Sequence, residues 1–233
     1  MNAYVCNILE NAKVDASPLV NGYQKPLLYD EVLSNLVPFS GPVAAIEAKW
    51  GLNYYADTVA LLGCNWIDGS LKIVSQGETV FNEEIRSKGI NTLIKLPELF
   101  MVSELILELR SMENIEIGLL FIGKKIELPL FANTLKYKFN VNSKAARTGA
   151  GRVYGLKKPS LRSFDISIYD IDNSDRLKLE AYIDEVQFVK PHIVELYEAD
   201  EFPPLYATLT DAGASDKLPD FRWNTALKYM EAK

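Results

Sequence analysis

Ser103-Glu104-Leu105-Ile106-Leu107-Glu108-Leu109-Arg110 is the stretch that decides the fold. Leu105, Leu107 and Leu109 fall on one side of a period of two. Glu104, Glu108 and Arg110 fall on the other, with Ile106 among them. A helix needs apolar residues three and four apart, whereas alternation describes a strand with one buried face. The period recurs in both directions along the chain. Residues 115–122 alternate with both faces apolar, which predicts one inner strand. Residues 59–62, then Asp68-Gly69, then Leu71-Lys72-Ile73-Val74 read as strand, turn, strand. Leu135, Tyr137, Phe139 and Val141 oppose Lys136, Lys138 and Asn140, while Phe164, Ile166 and Ile168 oppose Asp165, Ser167 and Tyr169. Residues 192–197, 206–210 and 221–227 are further short strands, punctuated by Pro191, Pro203, Pro204 and Pro219.

One segment breaks the pattern. Asp172-Asn173-Ser174 are N-capping residues, and after them Leu179, Tyr182, Ile183 and Val186 recur at helical spacing. This predicts a helix over residues 174–189, stopped before Pro191. The carboxylates at Asp170, Asp172 and Asp175 have the look of a calcium loop. Its sixth position is Asp175 instead of Gly, however, and its twelfth is Ala181 instead of Glu, so the segment reads as a helix start. Pro18, Pro26, Pro38 and Pro42 mark residues 1–40 as an extended N-terminal arm or edge strands. Residues 1–122 hold 8 basic and 15 acidic side chains, and residues 123–233 hold 17 and 16. That shift places a boundary after residue 123. The expected organisation is an arm (1–40), a β-sandwich (41–123), and a second mixed β domain with one helix (124–233).

Composition excludes several classes of function. The chain has 233 residues, 48% hydrophobic and 24% charged, so it can offset its folding entropy. A net charge of −6 excludes a uniformly basic nucleic-acid coat protein. His192, Cys6 and Cys64 supply three ligands at most, fewer than the roughly four of a Cys/His zinc site. Two cysteines make no disulfide framework. His192 has no nucleophile context and no G-x-S-x-G is present, so it reads as structural. Thr148-Gly149-Ala150-Gly151-Arg152 lacks the GK[ST] of a phosphate loop. Glu83-Glu84 are the residue types a glycosidase uses, with nothing to position them. No catalytic residue, metal or cofactor is expected. The first residues lack a basic then apolar leader, and no run reaches about 18 apolar residues, so the expectation is synthesis and folding in a cytosol without a membrane span.

Two candidate binding surfaces remain. Residues 124–162 carry ten Lys or Arg against one acid, Glu127. Within them Lys124, Lys125, Lys136, Lys138, Arg147, Arg152, Lys157 and Lys158 are a candidate assembly interface for an acidic partner, including a neighbouring copy. Nucleic acid is the weaker reading, because Tyr137 and Phe139 fall on the face away from Lys136 and Lys138. The second surface is aromatic. Trp50, Tyr54, Tyr55 and Trp66 surround Asn53, Asp57 and Asn65, and aromatic rings beside amide and carboxylate groups can hold sugar rings. The competing reading of those aromatics is as core plugs.

Val59-Ala60-Leu61-Leu62-Gly63-Cys64-Asn65-Trp66 resembles a segment of tailed-phage and prophage virion proteins with galactose-binding-like, jelly-roll β-sandwich domains. There an apolar strand ending in ALLG is followed by His-Asn-Leu. Here Asn65 matches, while Cys64 stands for the histidine and Trp66 for the leucine. Ile115-Glu116-Ile117-Gly118-Leu119-Leu120-Phe121-Ile122-Gly123 resembles the family's I-x-I-G-x-x-F-x-G strand, and residues 149–168 its later strand pair. The resemblance spans roughly residues 40–170. It implies a structural virion component of the tail tip or baseplate, with other tail proteins and copies of itself as partners. It also implies a carbohydrate-binding alternative directed at host glycans.

Overall fold

The computed structural model describes residues 1–30, 32–129, 135–140, 144–147, 153–156, 161–196, 203–213, 216–218 and 222–232. Among them the chain is mainly β, antiparallel, with one α-helix, as the alternation predicts. It divides into two units. The first holds residues 2–127 and 192–206, and the second residues 128–191 and 207–232. The return of residues 192–206 to the first unit has no counterpart in the sequence reading.

The first unit runs through β1 (Asn2–Tyr4), β2 (Ala12–Ser17), β3 (Val37–Pro38), β4 (Val43–Leu62), β5 (Asp68–Ser75), β6 (Glu78–Arg86), β7 (Thr92–Arg110), β8 (Glu116–Ile117), β9 (Leu119–Gly123) and β10 (Ile126–Glu127). Its main sheet has the order β2-β4-β7-β5-β6, with β9 also on β4. The opening stretch is the C-terminal half of β7. Leu105, Leu107 and Leu109 are fully buried, while Glu108 and Arg110 are exposed. Cross-strand rows carry the core: Ala44–Leu109–Gly69, Ile46–Leu107–Leu71 and Ala48–Leu105–Ile73. Each fully buried Leu or Ile contributes about 1.5–3 kcal/mol. Residues 1–40 add the edge strand β2 and the core side chains Leu9, Leu28, Val37 and Phe39.

One detail lies beyond the alternation reading and two differ from it, each for a backbone reason. The β4–β7 register jumps between Ala56↔Phe100 and Thr58↔Lys95, and Pro97, which has no N–H for a ladder, stands in that gap. Asp68-Gly69 is not a turn but the start of β5. The turn lies at Gln76-Gly77, where φ is +50° and +88°, a two-residue hairpin of the kind that needs left-handed residues. Residues 115–122 are not one strand. They split at Gly118, where a Cβ would sit 2.7 Å from the Leu33 carbonyl oxygen, so β8 pairs with β3 and β9 with β4.

The chain continues with β11 (Leu135–Asn140), β12 (Lys144–Arg147), β13 (Val153–Leu156), β14 (Leu161–Ile171), α1 (Asn173–Val186), β15 (His192–Glu195), β16 (Leu205–Ala212), β17 (Asp216–Lys217) and β18 (Trp223–Glu231). β15 belongs to the first unit and pairs with β1. There Glu195 is buried, accepting from Asn2 Nδ2 and Tyr4 Oη, each at 2.9 Å, and pairing with Lys95 at 2.8 Å. In the second unit the order is β16-β18-β14-β11, with β17 on β18 and a separate β12–β13 hairpin. Phe164 and Tyr229, directly opposite, stack with ring centroids 4.8 Å apart. The helix buries Leu179, Tyr182 and Val186, and the Tyr182 and Tyr229 hydroxyls meet at 2.9 Å.

α1 begins one residue before the expected 174 and ends three residues short of 189, because Gln187 turns left-handed at φ +47°. The Asp172 carboxylate caps it by accepting from the Asp175 N–H at 2.8 Å, and that bond holds its carboxyl below the usual value. A depressed carboxyl stabilises the fold above its unfolded pKa, and the contribution is lost as pH falls through the folded pKa. Asp172→Ala should therefore lower the thermal midpoint at pH 7, with the difference from wild type closing in acid. A difference that is constant with pH in thermal melts followed by circular dichroism would count against the cap.

Candidate functional site

The main sheet of the first unit has a charged outer face, and one row of it is arranged unlike the rest. Asp68 of β5 stands directly opposite Arg86 of β6 on one side and Arg110 of β7 on the other. Directly opposed residues project from the same face, so Asp68 stands in a row between Arg86 and Arg110. Arg110 Nε lies 2.7 Å from Asp68 Oδ1 as an ion pair. Glu84, two residues before Arg86, projects from the same face. A pocket of about 370 Å³ lies at this row, lined among others by Ile67, Asp68, Gly69, Glu84, Arg86 and Arg110.

The backbone beside it is tied down. Ile67 N donates to the Arg110 carbonyl at 2.8 Å, and Ser87 N to the Ile67 carbonyl at 2.9 Å. Asn65 laces the same loop, its Nδ2 donating to the Asn114 carbonyl at 2.9 Å and its Oδ1 accepting from Glu116 N at 2.8 Å. Ile67, 45% exposed, is an apolar wall fixed at both ends.

The aromatic surface expected from sequence is not assembled as a platform. Trp50 is a core residue whose Nε1 donates to the Ile8 carbonyl at 2.8 Å. Trp66 is also buried. Asn65 has both ends of its amide engaged, and Asp57 Oδ1 accepts from Thr58 Oγ1 and from the Lys125 N–H. Tyr54 and Tyr55 are consecutive on β4 and project from opposite faces, with Tyr55 and Asn53 exposed. Tyr54 pairs with Val102, whereas the 65–67 loop bonds to Arg110, about 26 Å further along β7 at about 3.3 Å per residue. The two halves of the cluster do not converge.

Of the basic run, Lys124, Lys125, Lys136 and Lys138 are exposed. Lys125 pairs with Glu127 at 2.7 Å, Arg162 pairs with Glu231 at 2.6 Å, and Lys136 stands opposite Asp165. Arg147 ends β12. Arg152, Lys157 and Lys158 lie outside the described residues. His192 and Cys64 are buried, and burial pushes the Cys64 thiol up to about 12, away from nucleophilic use. Glu83 and Glu84 are consecutive on β6 and project from opposite faces, so they cannot flank one bond. Among the described residues no group of His, Cys, Asp or Glu is disposed to hold a metal ion, and no helix is long and apolar enough to cross a membrane.

No protein-family model matches the chain, and no curated protein does. Solved structures similar to part of it include the lectin domain of lectinolysin complexed with Lewis B antigen, at 10% identity, 51% of this chain, 96% of that one and a TM-score of 0.43. A family 32 carbohydrate-binding module from C. perfringens NanJ in complex with galactose matches at 9% identity, 52% and 98% coverage and 0.43. A Ruminococcus gnavus fucosidase in complex with fucose matches at 16% identity and 0.46, over 52% of this chain but only 27% of its own. Likeness at this level does not extend to function.

Proposed function

We propose that the first unit is a saccharide-binding module, acting without bond cleavage, and that the Asp68–Arg86–Arg110–Glu84 pocket is its site. The observation that carries this is the composition of the pocket built around one cross-strand row. Sugar hydroxyls both donate and accept. Asp68 and Glu84 offer acceptors, Arg86 and Arg110 offer planar sets of donors, and Ile67 offers an apolar surface to the C–H face of a ring. The pocket volume falls in the small-ligand range of about 300–1,000 Å³.

The test is a glycan array followed by calorimetry on the ligands retained. Arg110→Ala and Asp68→Asn should each weaken binding by about tenfold or more, as loss of a hydrogen bond to a charged group does. Trp50→Phe should leave it unchanged. No new reducing ends should appear on prolonged incubation. An array with no retained saccharide, or release of reducing ends that Asp68→Asn abolishes, would sink the proposal. The second reading, a tail-associated component located in the virion and assembling through its basic residues, has the sequence resemblance and the exposed Lys124, Lys136 and Lys138 in its favour.

A further inference from the structure

β2 is an edge strand of the main sheet, paired only with β4 among the described residues, and its outward charges are poorly matched to that neighbour. Lys13 stands directly opposite Lys49, and Asp15 directly opposite Glu47. Like charges in directly opposed positions destabilise a strand pair. β4 compensates internally, since Lys49 pairs with Glu47 and lies 3.3 Å from Glu104. Lys13 makes no salt bridge among the described residues. Asp15 pairs with Lys25 and accepts from the Ala16 N–H at 3.0 Å, both through Oδ1, which leaves Oδ2 open.

The Ala16 bond also gives the polarity of the edge. Its N–H goes to a neighbouring side chain instead of to β4, so Val14 and Ala16 direct their backbone groups outward, as Ala12 does its carbonyl, and Lys13, Asp15 and Ser17 direct theirs to β4. An antiparallel copy of the same strand, with Val14 on the two-fold axis, meets this edge in register. Val14 exchanges both backbone bonds with Val14 of the copy, and the Ala12 carbonyl accepts from the copy's Ala16 N–H once that N–H leaves Asp15, while the Ala12 N–H stays on the Leu9 carbonyl. Lys13 then stands opposite Asp15 of the copy in the closely spaced, non-hydrogen-bonded position. The outer rows become Lys49–Lys13–Asp15–Glu47, read across the axis, and the like-charge mismatch is answered by the partner.

We propose that the protein forms an isologous dimer by β2–β2 pairing, each partner's Lys13 engaging the other's Asp15. A six-residue edge buries far less than the roughly 1,200 Å² of a stable interface, so the dissociation constant falls in the micromolar to millimolar range.

Sedimentation equilibrium of the full chain at low salt tests it. Wild type should reach a dimer as concentration rises. Lys13→Glu makes both outward charges of the edge negative, and Asp15→Lys makes both positive. Each variant alone should associate at least tenfold more weakly than wild type. Mixed in equal amounts, they should associate again, because the all-negative edge of one variant then faces the all-positive edge of the other at both charged rows. Recovery in the mixture also shows that both variants fold. A wild type that stays monomeric into the millimolar range, a single variant that dimerises like wild type, or a mixture that stays monomeric overturns the pairing.

Discussion

Gly69→Ala should destabilise the first unit by about 3 kcal/mol or more, the largest effect expected of any single methyl group added here. Gly69 is buried in β5, opposite Leu109 of β7. A Cβ built on it would lie 2.1 Å from the Glu108 carbonyl oxygen and 3.1 Å from the Leu109 Cα. Its φ is not in the left-handed region, so alanine is permitted by the local backbone and the whole penalty is steric. The atoms it meets belong to a paired ladder, so relief requires β5 and β7 to move apart. Overpacking a core costs about 1–3 kcal/mol and more where the surroundings cannot yield. Gly51 is the internal control. A Cβ there meets nothing within 4 Å, so Gly51→Ala should be neutral or slightly stabilising, by up to about 1 kcal/mol. Urea unfolding followed by the buried Trp50 and Trp66, in a Trp223→Phe background, reports on the first unit alone. Equal midpoints for the two alanine variants would refute the close approach.

Leu107→Ala should lose about 3 kcal/mol by a different route. Leu107 is fully buried at the centre of the row Ile46–Leu107–Leu71, and the sheet on either side of it is held by its ladders. Truncation removes the transfer free energy of the lost atoms and leaves a cavity that the ladders keep open, which together give about 2–5 kcal/mol for such sites. Ile106→Ala, one residue away on the half-exposed outer face, should cost markedly less. Comparable losses for the two would mean that the register of β7 is shifted by one residue, which exchanges its faces.

The fold class was legible because alternation in residues 103–110 is a local property, and burial of Leu105, Leu107 and Leu109 follows from it. The interruptions were less legible. Gly69 looks like half of a turn, since glycine marks turns and close backbone approaches alike, and only the partner strand distinguishes them. Gln76-Gly77 carries the true turn without the Asn or Asp that usually announces one. The pocket was hidden for a related reason. Asp68, Arg86 and Arg110 are dispersed in sequence and become neighbours only once β5 is set between β6 and β7. The one signal available was that all three sit at the ends of alternating runs, at one end of the sheet. The aromatic cluster misled in the opposite direction. Trp50 and Trp66 are close in sequence, but a twenty-residue strand carries residues 43–62 along its length, and large aromatics are most useful to such a sheet as core.

The ties around Glu195 bear on synthesis. The carboxylate that satisfies Asn2 and Tyr4 lies 193 and 191 residues further along the chain. At translation rates of about 5–20 residues per second, the first strand is made roughly 10–40 s before its partner strand β15 exists. Throughout that interval the growing chain holds two polar side chains destined for burial whose counterpart is unmade. The first unit therefore closes only after most of the second has been synthesised. A fragment ending after residue 127 contains every strand of the main sheet, yet it leaves Asn2, Tyr4 and Lys95 without the Glu195 carboxylate. In this protein the smallest piece that completes the N-terminal half extends to residue 206.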